Sequence, residues 1–523
     1  MLREAFENEP LIDFSKEEQR ILILNSVQNL RKSFPIKVKP VVSGRSYSSG
    51  QSISVPNPAK LGEIVSSIEY ADRDLTEKAV QACEAFSENW KLTSAKNRIE
   101  IIMKAADLLR KNKAELIALL ILEVGKGAKD ADAEVAEAID FCTFYSKEME
   151  SLSGPRTRNF PGEDNSYIYR PRGTTAVIAP WNFPLAILCG MTVAPLLAGN
   201  TVIMKPAEQS SAIAFRLYNI LIDAGVPSEV LHFLPGNGEV IGAYLVTHPK
   251  IHTINFTGSR AVGLGMLQSA SQTNANFIKR VVAEMGGKNA IIVDEDADLD
   301  EAVIGALVSA FGFQGQKCSA LSRLIVLEQC YKTFIERFSE GLKSWKIGMP
   351  EDPSVKIGPV IDRDARTRLE QVIEKNKSKI YSQQSIPQET ADSGFYVSPT
   401  IFTEENTRSE LGQVEYFGPI VTVFKAKSFD EALHKANEVD YALTGGVYTR
   451  NPNHIEKAKK FMQVGNLYIN RQITGAIVDR QPFGGFKLSG VGAKAGGPDY
   501  LKQFLEPISI TENTMRRGFV PEE

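Results

Sequence analysis

One cysteine, one glutamate and one asparagine of this sequence stand in settings that suit covalent chemistry. Cys318 lies in FGFQGQKCSALSR, directly after the apolar run AVIGALVSAF. A thiol becomes a useful nucleophile when its pKa falls or a base takes its proton, and Lys317 beside it with a helix nearby supplies a means. Glu284, in VVAEMGGKNAIIV, follows an apolar strand and precedes two glycines, where apolar walls raise a carboxyl towards the range of a general base. Asn182, held between prolines in APWNFP, offers a side-chain amide to an oxyanion. A lone cysteine also fits a buried small hydrophobe, and that is the reading for Cys83, Cys142, Cys189 and Cys330, which lie in helix-like or apolar contexts. Its company separates Cys318 from them.

A second group suits a nucleotide. KPAEQS closes an apolar strand with Lys205 and Glu208, a cation and a carboxylate that can serve a ribose, and an acid there favours NAD over NADP. FTGSRAVG places Gly258, Ser259 and Gly263 at a strand-to-helix junction, where small residues let a pyrophosphate reach backbone amides. EYFGPI adds Glu415 and Phe417, a carboxylate and a ring in one turn. The GxGxxG fingerprint is absent, and taken singly each motif also fits a glycine turn or a surface ion pair.

These residues need a scaffold that gathers strand ends. TTAVIAPW, LAILCGMTVAPLLA and NTVIMKP read as strand, helix, strand; SAIAFRLYNILIDAG, VLHFLPG, the helix opening at GNGEVIG, and TINFTGS continue the alternation. Such units predict a doubly wound α/β layer. A second alternating region holds NAIIVD, RLIVLE and GPIVTVFKA, while KNRIEIIMKAADLLRKNKAELIALLILEV is strongly helical. SGPRTRNFPGEDN followed by SYIYRPRG reads as a protruding hairpin, with a flexible linker as the alternative.

With 523 residues the chain has room for several domains. Sixty lysines and arginines against 63 acids, net charge −3, without a long like-charge block, argue against nucleic acid or membrane surfaces as partners and for small molecules. The five cysteines form no CxxC pair, so no metal site or disulfide framework is expected, and the chain reads as reduced and cytoplasmic. MLREAFENEPLIDFSKEEQR lacks the apolar core of a signal peptide. No position between Arg172 and Lys205 is charged, a run long enough to span a bilayer, but its prolines and asparagines divide it into buried sheet and helix segments.

APWNFP, KPAE, FTGS, EMGGKN, GQKCSA, EYFGP and PFGGFKLSG follow one another in the order found in the aldehyde dehydrogenase superfamily, which the chain resembles over roughly residues 40 to 515. YALTGGVYTRN, INRQITGAIVDRQPFGG and GVGAKAGGPDYL resemble the branch that oxidises glutamate γ-semialdehyde, the 1-pyrroline-5-carboxylate dehydrogenases. The resemblance implies that Cys318 is the nucleophile, Asn182 and the Cys318 amide the oxyanion donors, and Glu284 the base that hydrolyses a thioester. It assigns Trp181 to the NAD site with Lys205, Glu208, Gly258, Ser259, Gly263, Glu415 and Phe417. Ser319, Gly475 and Ala476 are expected to hold the substrate's α-carboxylate, Phe183 and Phe483 its aliphatic part, and Glu137 its ammonium, although a carboxylate on an amphipathic helix is also commonly just solvated.

The implied architecture is a helical N-terminal part that begins the NAD-binding domain (1–155), an oligomerisation hairpin (156–173), a Rossmann-type NAD-binding domain (174–286), a catalytic α/β domain (287–488) and a C-terminal oligomerisation tail (489–523). The implied activity is oxidation of L-glutamate γ-semialdehyde to glutamate in proline and arginine breakdown, in a homodimer or larger homo-oligomer, with a proline dehydrogenase as a candidate partner. Another acidic semialdehyde such as succinic semialdehyde, or an inactive scaffold, are the competing readings. The GAIVDRQ loop argues against the first, and the intact Cys318, Glu284 and Asn182 against the second.

Overall fold

The computed structural model describes residues 5–515. Uncharged strands can be buried on both faces only if helices cover them, and the strands Thr175–Ile178 and Val202–Lys205 are buried along their whole length. With Leu231–Phe233, Thr253–Thr257 and Arg280–Glu284 they make a parallel sheet. Across this sheet the strands run Arg280, Thr253, Thr175, Val202, Leu231, so chain order reverses between the Thr175 and Thr253 strands. A crevice opens beyond the carboxyl ends at such a reversal, which is where open α/β sheets take ligands. Three short antiparallel strands complete the sheet: Val41–Val42 and Arg45–Ser46 at one edge, Gly490–Val491 at the other. The segment from 489 onward is therefore not an arm from its start; it first returns to this sheet.

A second sheet of seven strands holds Asn289–Val293, Leu321–Leu327, Ile420–Ala426, Thr400–Thr403, Thr444–Tyr448 and Asn466–Ile469 in parallel, with Ile380–Gln383 antiparallel at its edge. The long helical stretch after residue 94 is two helices, Ala95–Lys111 and Lys113–Val124, broken at Asn112. Gly125 closes the second with φ +68, and a Cβ there would lie 2.7 Å from Pro359. The next helix, Ala128–Leu152, is buried along most of its length between these helices and the first sheet's helix Ala186–Ala198.

Arg156–Thr157 and Glu163–Pro171 form the expected hairpin, and Leu505–Asn513 pairs antiparallel with Glu163–Pro171 over nine residues, giving a separate three-stranded sheet. Phe160, Tyr167, Ile510 and Met515 on this arm are exposed. Among the described residues no helix is long and apolar enough to cross a membrane.

Candidate active site

The two parallel sheets meet end to end in opposite senses. The first contributes carboxyl ends: Ala179 to Phe183 follow one strand, Lys205 ends another, Gly258 and Ser259 follow a third, and Glu284 ends a fourth. The second contributes amino ends: Cys318 and Ser319 precede Leu321, Glu415 and Phe417 precede Ile420, and Asn289 and Thr444 begin their strands. Asn289 stitches this edge together. Its side-chain amide donates to the Cys318 and Ala320 carbonyls, both at 2.8 Å, while its oxygen accepts from the Thr444 amide at 3.0 Å.

Cys318 is partly exposed, whereas the other four cysteines are buried. Burial, followed by the carboxylates of Glu415 and Glu284, pushes its thiol up; the Ser319 and Cys318 amides pull the other way. Lys317 does not lower it, contrary to the expectation from adjacency. Its ammonium turns away to Asp130 at 2.8 Å, because neighbouring side chains in this turn diverge. These surroundings favour the protonated thiol at Cys318. Burial pushes Glu284 up to about 8, against the Gly485 amide and the charge of Lys494. A carboxyl with that value gives up and takes protons near neutral pH, as a general base must.

Asn182 is buried, and its side-chain amide donates to the Gln316 carbonyl at 3.0 Å, which fixes the group and leaves its second hydrogen free. Behind it, Lys126 donates to the Asn182 carbonyl at 2.7 Å and is ion-paired with Glu134; both side chains are fully buried. Glu134 in turn accepts from the Leu185 amide at 2.8 Å, at the start of the helix that follows Asn182. The same ammonium lies 3.8 Å from the centre of the Phe183 ring.

On the cofactor side, Lys205 is buried and paired with Glu208 Oε1 at 3.0 Å, and that oxygen also accepts from the Gly238 amide at 2.8 Å. The other carboxylate oxygen is left as an acceptor. Burial lowers Lys205, and the charge of Glu208 opposes this. Ser259 caps the helix Arg260–Ser271 through the Val262 amide. Gly263 has a different reason for its size than close approach of a phosphate: it is buried, and a Cβ would lie 2.5 Å from Met285 Sδ. Glu415 accepts from the Gly287 amide at 2.9 Å, and Gly286 has no room for a side chain because Glu415 occupies it. Burial brings Glu415 up to about 7. Phe417, at φ +55, stands edge-on to Trp181 with centroids 5.6 Å apart, and Trp181 packs the same way on Phe313.

On the other side, Gly475 has φ +73 and is exposed, and neither its amide nor that of Ala476 donates to any acceptor among the described residues. The anchors lie to either side of them: Ile473 N donates to Ser309 Oγ at 3.0 Å, and Ile477 N to Gln481 Oε1 at 3.1 Å. Ser319 is buried, and its hydroxyl makes no protein hydrogen bond among the described residues. Glu137 is partly exposed without a hydrogen-bond partner there. Burial and the charge of Glu134 push it up to about 8, while Lys126 and Lys317 oppose this. Phe483 is held by paired backbone bonds to Ala495, and Lys494 beside it donates to the Gly484 and Gly465 carbonyls at 2.7 Å and to Asn466 at 3.0 Å.

Sequence reasoning missed Asn289, Lys126 with Glu134, and Lys494. Asn289 and Lys494 stand inside motifs already singled out, EMGGKN and GVGAKAGG. Lys126 is a charge just after an apolar helix, and its contact with the Asn182 carbonyl, 56 positions on, gives it meaning.

Known proteins resemble this chain over nearly its whole length. A model of the aldehyde dehydrogenase family matches residues 45–510. The 1-pyrroline-5-carboxylate dehydrogenase of Geobacillus sp. (strain WCH70) is 41% identical over 517 residues, 97% of this chain and 99% of that one. The crystal structure of 1-pyrroline-5-carboxylate dehydrogenase from Thermus with bound NAD superposes with a TM-score of 0.95 at 42% identity, covering 98% of this chain and all of that one. Proline utilization A from Bdellovibrio bacteriovorus, inactivated by N-propargylglycine, gives a TM-score of 0.96 at 47% identity over 99% of this chain, which spans only 54% of that longer one.

Proposed function

The chain belongs to the aldehyde dehydrogenase family, and we propose that it oxidises L-glutamate γ-semialdehyde, the open form of 1-pyrroline-5-carboxylate, to L-glutamate with NAD. The observation that carries the substrate is the unpaired polar set opposite the cofactor edge: two backbone amides at Gly475 and Ala476, the Ser319 hydroxyl, and the Glu137 carboxylate. Donors left unpaired suit an anion, and a carboxyl raised to about 8 ionises when an ammonium arrives beside it; an α-amino acid carries both groups. Phe183 and Phe483 supply apolar surface for the chain between that end and the aldehyde.

Cys318 adds to the aldehyde carbon as its proton passes to ionised Glu284, which returns it to solvent, and the oxygen that becomes anionic is met by the free Asn182 hydrogen and the Cys318 amide. The residues that would hold NAD fit it: the spare Glu208 oxygen and Lys205 for the adenosine ribose, the capped helix at Ser259 for the pyrophosphate, and Glu415 with Phe417 for the second ribose and ring. NAD, when bound, supplies the hydride acceptor and a positive charge that offsets the two carboxylates opposing thiol ionisation. Glu284 then takes a proton from water, which attacks the Cys318 thioester, releases glutamate and restores the thiol. The exposed arm of 156–173 with Leu505–Asn513 is read as a dimerisation surface, a proline dehydrogenase as the supplier of substrate, and the cytoplasm as the location.

The test is NADH formation with pyrroline-5-carboxylate, succinic semialdehyde and hexanal side by side. The Ser319 hydroxyl is buried, and a buried donor left unpaired costs about 1–3 kcal/mol, so hexanal, which offers it no acceptor, is expected to fall at least ~10-fold below pyrroline-5-carboxylate in kcat/KM. Equal efficiency for hexanal removes the clamp, and a preference for succinic semialdehyde replaces the substrate.

A further inference from the structure

We propose that the segment Phe6–Phe14 is a strap that sets the position of the carboxylate clamp, with Asn8 as its positioning residue. The proposal rests on the clamp reading above.

The segment forms no helix or strand through Leu11, yet it is held at many points. Asn8 spends both hydrogens of its side-chain amide on a bridge, one to Asp140 Oδ2 at 2.9 Å and one to the Val478 carbonyl at 3.0 Å. The Glu9 amide donates to Asp140 Oδ1 at 2.7 Å, and the Ile12 amide to Asp132 Oδ2 at 2.7 Å. Arg110 pairs with Glu9 at 2.8 Å, Lys113 donates to the Pro10 carbonyl at 3.0 Å, and the Phe6 ring packs edge-on against Phe144.

The two aspartates belong to the helix Ala128–Leu152 and are buried; the segment's donors satisfy Asp140, and share Asp132 with Lys113, which is ion-paired to it at 2.8 Å. Glu137 lies between them on the same helix. Val478 is buried and follows Ala476 by two residues, and the next amide, Asp479, is tied to the Gly496 carbonyl at 2.9 Å. The bridge through Asn8 thus joins the helix that carries the ammonium partner to the loop that carries the anion donors. Neither Cys318 nor the cofactor residues touch it. Displacing donors by about 1 Å can cost on the order of 100-fold when geometry is what they supply, and only a substrate with an α-carboxylate reads those donors.

The experiment compares wild type and Asn8→Ala, full-length, in steady-state NADH formation with pyrroline-5-carboxylate and with hexanal, and measures inhibition by glutarate. A fall of ~5- to 50-fold is expected in kcat/KM for pyrroline-5-carboxylate, mainly through KM, with glutarate weakened in proportion and with hexanal kcat/KM and the KM for NAD within ~2-fold of wild type. The ratio of the two substrates does not depend on the folded fraction, so partial misfolding cannot imitate the result. If Asn8→Ala is not recovered folded, Phe6→Ala, which loosens the strap away from Asp140, is read in the same way. An unchanged ratio in a wild-type background that does prefer pyrroline-5-carboxylate overturns the strap alone. Absence of that preference in wild type overturns the clamp reading instead.

Discussion

The edge proposed for the cofactor and the edge proposed for the substrate differ in how their polar groups rest. On the cofactor edge Lys205 and Glu208 hold each other, Glu208 also takes the Gly238 amide, and Glu415 takes the Gly287 amide. On the substrate edge the Gly475 and Ala476 amides, the Ser319 hydroxyl and the Glu137 carboxyl make no hydrogen bond among the described residues. A dinucleotide is large and gains contact along its length, so its pocket can keep its own pairs and lend spare lone pairs. A small amino-acid semialdehyde has few groups, and its recognition depends on donors that are preorganised yet unspent. The difference teaches that affinity for the one is spread out, while selectivity for the other is concentrated in a few atoms.

Four changes would break or sharpen that contrast. Cys318→Ala, at the seam between the edges, should lower turnover by ~10,000-fold or more while NAD still binds, measured by NADH formation and by calorimetry of NAD binding; retained turnover would move the nucleophile elsewhere. Gly475→Val forces a β-branched residue to φ +73 and should shift the adjacent amides, costing pyrroline-5-carboxylate ~100-fold and far more than hexanal. Equal losses would mean that the substrate edge acts only as scaffold.

Glu208→Ala should raise the KM for NAD ~10-fold and leave that for pyrroline-5-carboxylate within about 2-fold, since one hydrogen bond to a charged group is lost on the cofactor edge alone. Wild type should also prefer NAD, because Glu208 would face a 2′-phosphate as a like charge; equal efficiency with NADP would remove it from the ribose. The smallest effect concerns pH. If Glu284 is the base it works ionised, and burial raises it to about 8, so its active fraction grows as pH rises through 8, and kcat limited by thioester hydrolysis should climb up to about tenfold between pH 7 and 9. Glu284→Gln should abolish that limb and show a burst of NADH before slow turnover. A flat wild-type profile would mean that hydrolysis does not limit.

Much of the site was legible because each motif is local. APWNFP, KPAE, EMGGKN and GQKCSA each fall at a strand end, and apolar runs with turn residues mark strand ends in any parallel sheet. What did not show was the environment that distance creates. Lys317, adjacent to Cys318 in the chain, serves Asp130, whereas Glu284 and Glu415, some 34 and 97 positions away, set the thiol's charge balance. The size of Gly263 answers to Met285, and the fold draws Gly490–Val491 back to the first sheet. The bridge of Asn8 to Val478 joins segments 470 positions apart, and the bond of Lys126 to the Asn182 carbonyl spans 56, which no local pattern announces.

The contrast among the cysteines makes the chain a counter of its own unfolding. Cys318 alone is reachable, and as a protonated thiol it should consume a thiol-reactive dye slowly at neutral pH, one equivalent per chain. Cys83, Cys142, Cys189 and Cys330 are packed away on both sides of the seam, so four further equivalents should appear only when the cores around them open. Dye uptake against temperature would then distinguish a protein whose Cys318 has been consumed from one that has lost its fold.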